Sequence, residues 1–176
     1  MRTVEDVAKF VGGQPLWMGL LRAVETLAID DCWIGAGAIR NAIWDHLHDY
    51  PIQLATGSDV DVVYFDRLKV HSEIDLQRRL ANDWPTIPWS VCNQARMHER
   101  NDDPLYRDTE DAVRCWPETA TAVAARLRDG RVQIIAPHSV DDLVHLNVRP
   151  TPYSGTSCRS TSVGLLRNSG LSAGRG

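Results

Sequence analysis

The amino-acid sequence predicts a mixed fold, α+β or α/β, in which helices are interrupted by single strands. Three observations carry this. Apolar residues recur at helical spacing, as in Leu16, Leu20, Val24 and Leu27. Short runs of strand character stand between the helical stretches, among them Cys32-Trp33-Ile34 and the segment from Asp59 to Phe65. A chain of 176 residues, 43% hydrophobic and 24% charged, has the composition of one soluble domain with a core of its own.

The elements follow in order. Residues 4–11 and 15–29 read as helices, separated by Gly12-Gly13 and Pro15. Cys32-Trp33-Ile34 is a short buried strand that ends in Gly35-Ala36-Gly37. Helical period returns from Ala38 to Tyr50 through Ile39, Ile43 and Leu47, and Pro51 stops it. Gly57-Ser58 opens the strand 59–65. Residues 71–82 are helical, 89–94 a strand, and 97–106 polar and irregular. Helix resumes over 110–115, and Pro117 suits the first turn of a further helix, 118–127. Asp129-Gly130 turns the chain into a strand at 132–135. Ser139 and Asp142 have capping-box spacing before a last helix at 143–146.

Charge divides the chain. The formal net charge of −4 is the sum of −7 over residues 1–153 and +3 over 154–176, a segment with three arginines and no acid. An acidic body excludes a nucleic-acid-coating role. The tail, rich in Ser, Gly and Arg, is expected to be disordered, and to be a divergent or frameshifted ending of the 1–153 domain. Cys32, Cys92, Cys115 and Cys158 lie far apart, as free thiols of a reducing compartment do. No run is apolar for long enough to span a bilayer, and the acidic start is unlike a signal peptide. A cytoplasmic protein is expected.

The chemistry concentrates between Trp33 and Asp66. A strand ends in Gly35-Ala36-Gly37 and a helix begins at once, so backbone amides and the helix N-terminus can approach a phosphate. Arg40, early in that helix, brings a planar donor fork to the same anion. On the next strand, period two sends Asp59 and Asp61 to one face, with Val60, Val62 and Tyr64 facing the core. Paired hard carboxylates suit Mg²⁺ or Mn²⁺, whose remaining ligands come from water and phosphate. A phosphate cradle beside an acidic metal site is what phosphoryl or nucleotidyl transfer requires.

The segments Trp33-Ile-Gly-Ala-Gly-Ala-Ile-Arg-Asn41, Asp59-Val-Asp-Val-Val-Tyr-Phe-Asp66, Asn93-Gln-Ala-Arg-Met-His98 and Trp116-Pro-Glu-Thr-Ala-Thr121 resemble a family of small bacterial nucleotidyltransferase-like proteins. That family lies within the DNA polymerase beta-type nucleotidyltransferase superfamily, and the resemblance spans roughly residues 15–153. It implies an α+β core with a mixed sheet flanked by helices, and a Mg²⁺-dependent reaction. In that reaction a nucleoside monophosphate moves from an NTP to a hydroxyl acceptor on a small molecule, protein or RNA. The expected catalytic set is Asp59 and Asp61 as metal ligands, with His98, in place of an absent third carboxylate, either acting as base or orienting the acceptor. Gly35, Gly37, Arg40, Asn93 and Arg96 would contact nucleotide. Superfamily enzymes generally carry a third carboxylate on a later strand, and the strand 89–94 has none. Asp66, seven residues after Asp59, alternates to the other face. This departure motivates a second reading, a nucleotide-binding regulatory or partner-binding protein without turnover.

Other polar groups carry plainer readings. Glu118, Thr119 and Thr121 either cap a turn or line the acceptor pocket. Asp45, His46, His48 and Asp49 read as a solvated helix face, and Asp141-Asp142 as helix N-terminal charge.

Overall fold

A computed structural model describes residues 1–54 and 59–153. The expected tail, 154–176, and Gly57-Ser58 lie outside the described residues. Helices α1 (Val4–Gly12) and α2 (Pro15–Glu25) precede strand β1 (Cys32–Gly35) and helix α3 (Ala36–Leu47). Strand β2 (Val60–Tyr64), helix α4 (Glu73–Asp83) and strand β3 (Trp89–Asn93) follow. A 3-10 turn (Gln94–Arg96) leads to α5 (Met97–Asn101) and α6 (Thr109–Arg114). The hairpin β4 (Ala124–Arg128) and β5 (Arg131–Ile135) and the short α7 (Asp141–Val144) complete the fold.

The five strands form one sheet in the order β3-β2-β1-β4-β5. Only β2 and β3 run parallel; β1 is antiparallel to β2 and β4, and β4 to β5. The sheet is therefore mixed, and the fold is α+β, as expected. One face carries Ile34, Val60, Val62, Tyr64, Val91 and Ala125 into the main core, against buried side chains of α1, α2 and α3 such as Val7, Leu20 and Ile39. The other face carries a smaller cluster, Trp33, Val63 and Ala124, against Trp116 and Ile135. Strand β3 is an edge, and α4 covers it. Gln77 accepts a hydrogen bond from Val91 N and Glu73 accepts one from Asn93 N, which blunts the edge against further pairing.

Three expectations fail locally. The helix predicted over 118–127 is a turn followed by β4. Helix propensity in this alanine-rich stretch yields to pairing with β1 and to the hairpin turn at Asp129-Gly130, where both residues take positive φ. The stretch 97–106 is not wholly irregular, since α5 occupies Met97–Asn101. The capping box at Ser139 and Asp142 does not form. Helix α7 begins at Asp141, and the Ser139 hydroxyl bonds the Asp141 amide and carboxylate instead. Asp142 binds Thr119 and Arg149 and so ties the 116–121 segment to α7.

Candidate active site

The site is set by sheet register. Across the five strands the backbone aligns Ser90, Asp61, Gly35, Ala124 and Ile135 in one row. Paired residues share a face, so this row lies on the face of the smaller cluster, opposite the main core. Asp61 thus stands between Ser90 on β3 and Gly35 at the end of β1. Asp59, just before β2, is exposed, and its charge reaches Asp61. Burial pushes the Asp61 carboxyl up, a hydrogen bond from the Ser90 hydroxyl opposes this, and Asp59 adds to the rise. A half-buried carboxylate beside a second one is a position that a cation stabilises.

In the turn from β1 into α3, Gly35 and Ala36 answer different constraints. Gly35 has extended backbone (φ −127°, ψ −173°) that any residue adopts. Space makes it glycine: a Cβ there would lie 2.6 Å from Trp116 Cη2. The left-handed conformation falls on Ala36 (φ 56°), strain of the kind found where a turn is over-determined by its surroundings. The Ala36 amide donates to Val123 O (3.1 Å), so this amide serves the fold rather than a ligand. No side chain among the described residues caps α3, which leaves its next amides, Gly37 and Ala38, without a side-chain acceptor. At Gly37 the nearest atom to an added Cβ is Arg40 Nη2 at 3.9 Å, so the guanidinium stands beside the turn.

Arg40 is held on three sides. Its Nε and Nη2 both donate to Asn41 Oδ1 (3.2 Å each), its guanidinium carbon lies 4.9 Å from the Trp44 ring centroid, and Nη1 meets Glu118 Oε2 at 3.4 Å. Glu118, for which the sequence left a turn cap and a pocket wall open, is the acid that reaches Arg40. The signal was its motif, Trp116-Pro-Glu118, in which Trp116 packs on Gly35 and delivers Glu118 to Arg40.

Asp59, Asp61, Gly35, Gly37 and Arg40 therefore meet at one end of the sheet. Asn93, Arg96 and His98 do not join them there. Asn93 pairs with Tyr64, three residues past Asp61, or about 10 Å along β2. Its side chain is committed to the backbone: Oδ1 accepts from Asp66 N and Ala95 N, and Nδ2 donates to Asp66 O. It is a staple joining the ends of β2 and β3. Arg96 and His98 follow beyond that end, Arg96 exposed and the His98 ring edge-on to Tyr106 (5.8 Å between centroids). Asp66 also lies past the far end of β2. Burial raises its carboxyl, but hydrogen bonds from His71 N and Nδ1 outweigh this and hold it below the usual carboxylate range. Of the expected helix face, Asp45 and His46 lie on α3 while His48 and Asp49 lie just past its end; His46 stacks on Phe10 and His48 on Tyr50. Among the described residues, no group of three or more His, Cys, Asp or Glu side chains converges as a metal cluster. No helix among them is long and apolar enough to cross a membrane.

Comparisons with known proteins bear on the fold and the family. A solved structure described as revealing a CCA-adding enzyme head domain is similar to the chain at a TM-score of 0.71 and 30% identity. The match covers 85% of this chain and 79% of that one. No curated protein matches. The family described as Nucleotidyltransferase matches residues 22–160, which takes in β1, α3, β2 and every residue of the site. The chain belongs to this nucleotidyltransferase family.

Proposed function

We propose that this domain transfers a nucleoside monophosphate from an NTP to a hydroxyl acceptor, with Mg²⁺ or Mn²⁺ held by Asp59 and Asp61. The observation that carries the reading is the register that sets Asp61 beside Gly35, at the uncapped N-terminus of α3. The donor set fits the ion: two carboxylates on neighbouring alternate positions supply hard oxygens and leave room for water and phosphate. When bound, the metal supplies charge neutralisation for the donor phosphates. The chain's own residues do the rest. The amides at the start of α3 bind the phosphate tail, and Arg40 places a guanidinium on charge that builds as the leaving group departs. The Ser90 hydroxyl orients the Asp61 carboxylate toward the open face. His98, packed on Tyr106, has no part in this assignment.

Labelled ATP, CTP, GTP and UTP, incubated with Mg²⁺ or Mn²⁺ and cell extract, test the reading. Transfer of label to an acceptor by the wild type, abolished by Asp61→Asn, is expected. Transfer that persists undiminished in Asp61→Asn would overturn it. A second reading, nucleotide binding without turnover, is favoured by one observation: β3 presents Ser90, not a carboxylate, beside Asp61. Under that reading the wild type binds metal·NTP and Asp61→Asn does not, yet no label moves.

A further inference from the structure

We propose that Glu118 is an internal anion that competes with a nucleotide phosphate for Arg40. The inference rests on the phosphate-binding role given to Arg40 above. Its basis is the way the guanidinium is divided among partners. Asn41 takes Nε and Nη2, and Trp44 supports the plane. These contacts come from α3 itself and set the orientation of the side chain. Glu118 takes only Nη1, from another part of the chain 78 residues on, at a distance longer than its neighbours'. It is therefore not needed to aim Arg40. It engages one of the three N–H donors that remain once Arg40 is aimed.

The carboxylate is delivered to that donor by local structure. Trp116 packs on Gly35, and Val123 O accepts from Ala36 N, so both ends of the 116–123 segment are fixed to the β1–α3 turn. Thr119 donates to Asp142 (2.7 Å), and Glu118 O accepts from the Thr121 and Ala122 amides. The backbone at Glu118 is thus held without help from its side chain. That side chain is 38% exposed, and Arg40's 25%, so the pair is open to exchange with a dissolved anion. A phosphate oxygen approaching Nη1 is a more highly charged acceptor than the carboxylate and is repelled by it, so Glu118 opposes phosphate binding unless it withdraws.

The two roles a carboxylate can have here predict opposite signs. If Glu118 oriented Arg40, removing its charge would weaken phosphate binding. If it competes, removing the charge tightens binding. Calorimetric titration of the full chain with inorganic triphosphate and Mg²⁺, and separately with the four Mg·NTPs, reads this directly. Glu118→Gln is expected to bind roughly two- to fivefold more tightly than wild type, the range of a partly exposed ion pair. Glu118→Ala should do the same, which guards against an effect of the new amide. Arg40→Met should bind weakly, and adding Glu118→Gln to it should restore nothing, since the competition requires Arg40. Equal or weaker binding by both Glu118 variants, in protein of unchanged thermal stability, overturns the competitor role while leaving the site assignment intact. A wild type that binds neither inorganic triphosphate nor any NTP overturns the site assignment, and the competitor role with it.

Discussion

Gly35→Ala probes the junction on which the site depends. An added Cβ would lie 2.6 Å from Trp116 Cη2 and 3.3 Å from Cζ3, with Ala124 Cβ at 3.6 Å behind. Ordinary carbon contacts are 3.5–4.0 Å, so the indole must retreat by roughly 1 Å. It cannot do so alone, because Trp116 packs against Trp33, Val63 and Ala124. Overpacking of this kind costs about 1–3 kcal/mol, or roughly 3–10 °C in Tm for a domain of this size. The displacement also disturbs the row that holds Asp61, which should weaken Mg·NTP binding. Thermal and urea unfolding, followed by tryptophan fluorescence, measure the stability loss, and calorimetry measures Mg·NTP affinity. Gly37→Ala is the control, since its Cβ meets nothing closer than 3.9 Å. It should be neutral or slightly stabilising, because alanine is the better helix former. A Gly35→Ala protein as stable as wild type, with the same affinity, would refute the packing argument.

Four further outcomes follow from the same geometry. Ala36→Gly should stabilise by about 1 kcal/mol at a φ of 56°, read as a raised urea midpoint. Asn93→Ala should lower stability by about 2–3 kcal/mol, because it orphans the Asp66 and Ala95 backbone groups; its Mg·NTP affinity should be unchanged. Asp61→Asn removes a carboxylate whose ionisation burial disfavours, so in EDTA it should be more stable than wild type at neutral pH. Because the folded pKa is raised, that gain should shrink as pH falls through the carboxylate range, and Mn²⁺ should no longer raise the Tm. Asp111 has the opposite sign: hydrogen bonds from Arg107 lower its pKa. The stability it contributes is present above the ordinary carboxylate pKa and is lost as pH falls below about 4. Asp111→Asn should therefore be less stable than wild type at pH 7, with the difference closing in acid unfolding curves.

What was legible from the sequence is local. Period and punctuation located β1, α3, β2, α4 and β3 to within a few residues, because each buries a continuous stripe or alternating face that its own residues dictate. The spacing of Asp59 and Asp61, and the small residues ahead of Arg40, carried half of the site for the same reason. The segment 118–127 was misread because alanine, leucine and arginine favour helix locally, while the strand pairing that overrides them is made to residues some 90 positions earlier.

The tertiary structure decided which polar groups keep company. Register, a relation between strands distant in the chain, placed Ser90 beside Asp61 and sent Asn93 to the far end of the same strand pair. A side chain's capacity to bind a ligand depends on what already occupies its hydrogen bonds. Asn93 is committed to backbone groups through both Oδ1 and Nδ2, whereas Arg40 keeps N–H donors beyond those its own helix takes, and Glu118 engages one of them. Glycine at 35 reads in the sequence as room for backbone amides to approach a ligand; in the fold it also answers a demand of space set by an indole 81 residues away. Sequence determined the chemistry available to this domain; the packing of remote segments determined which of it converges.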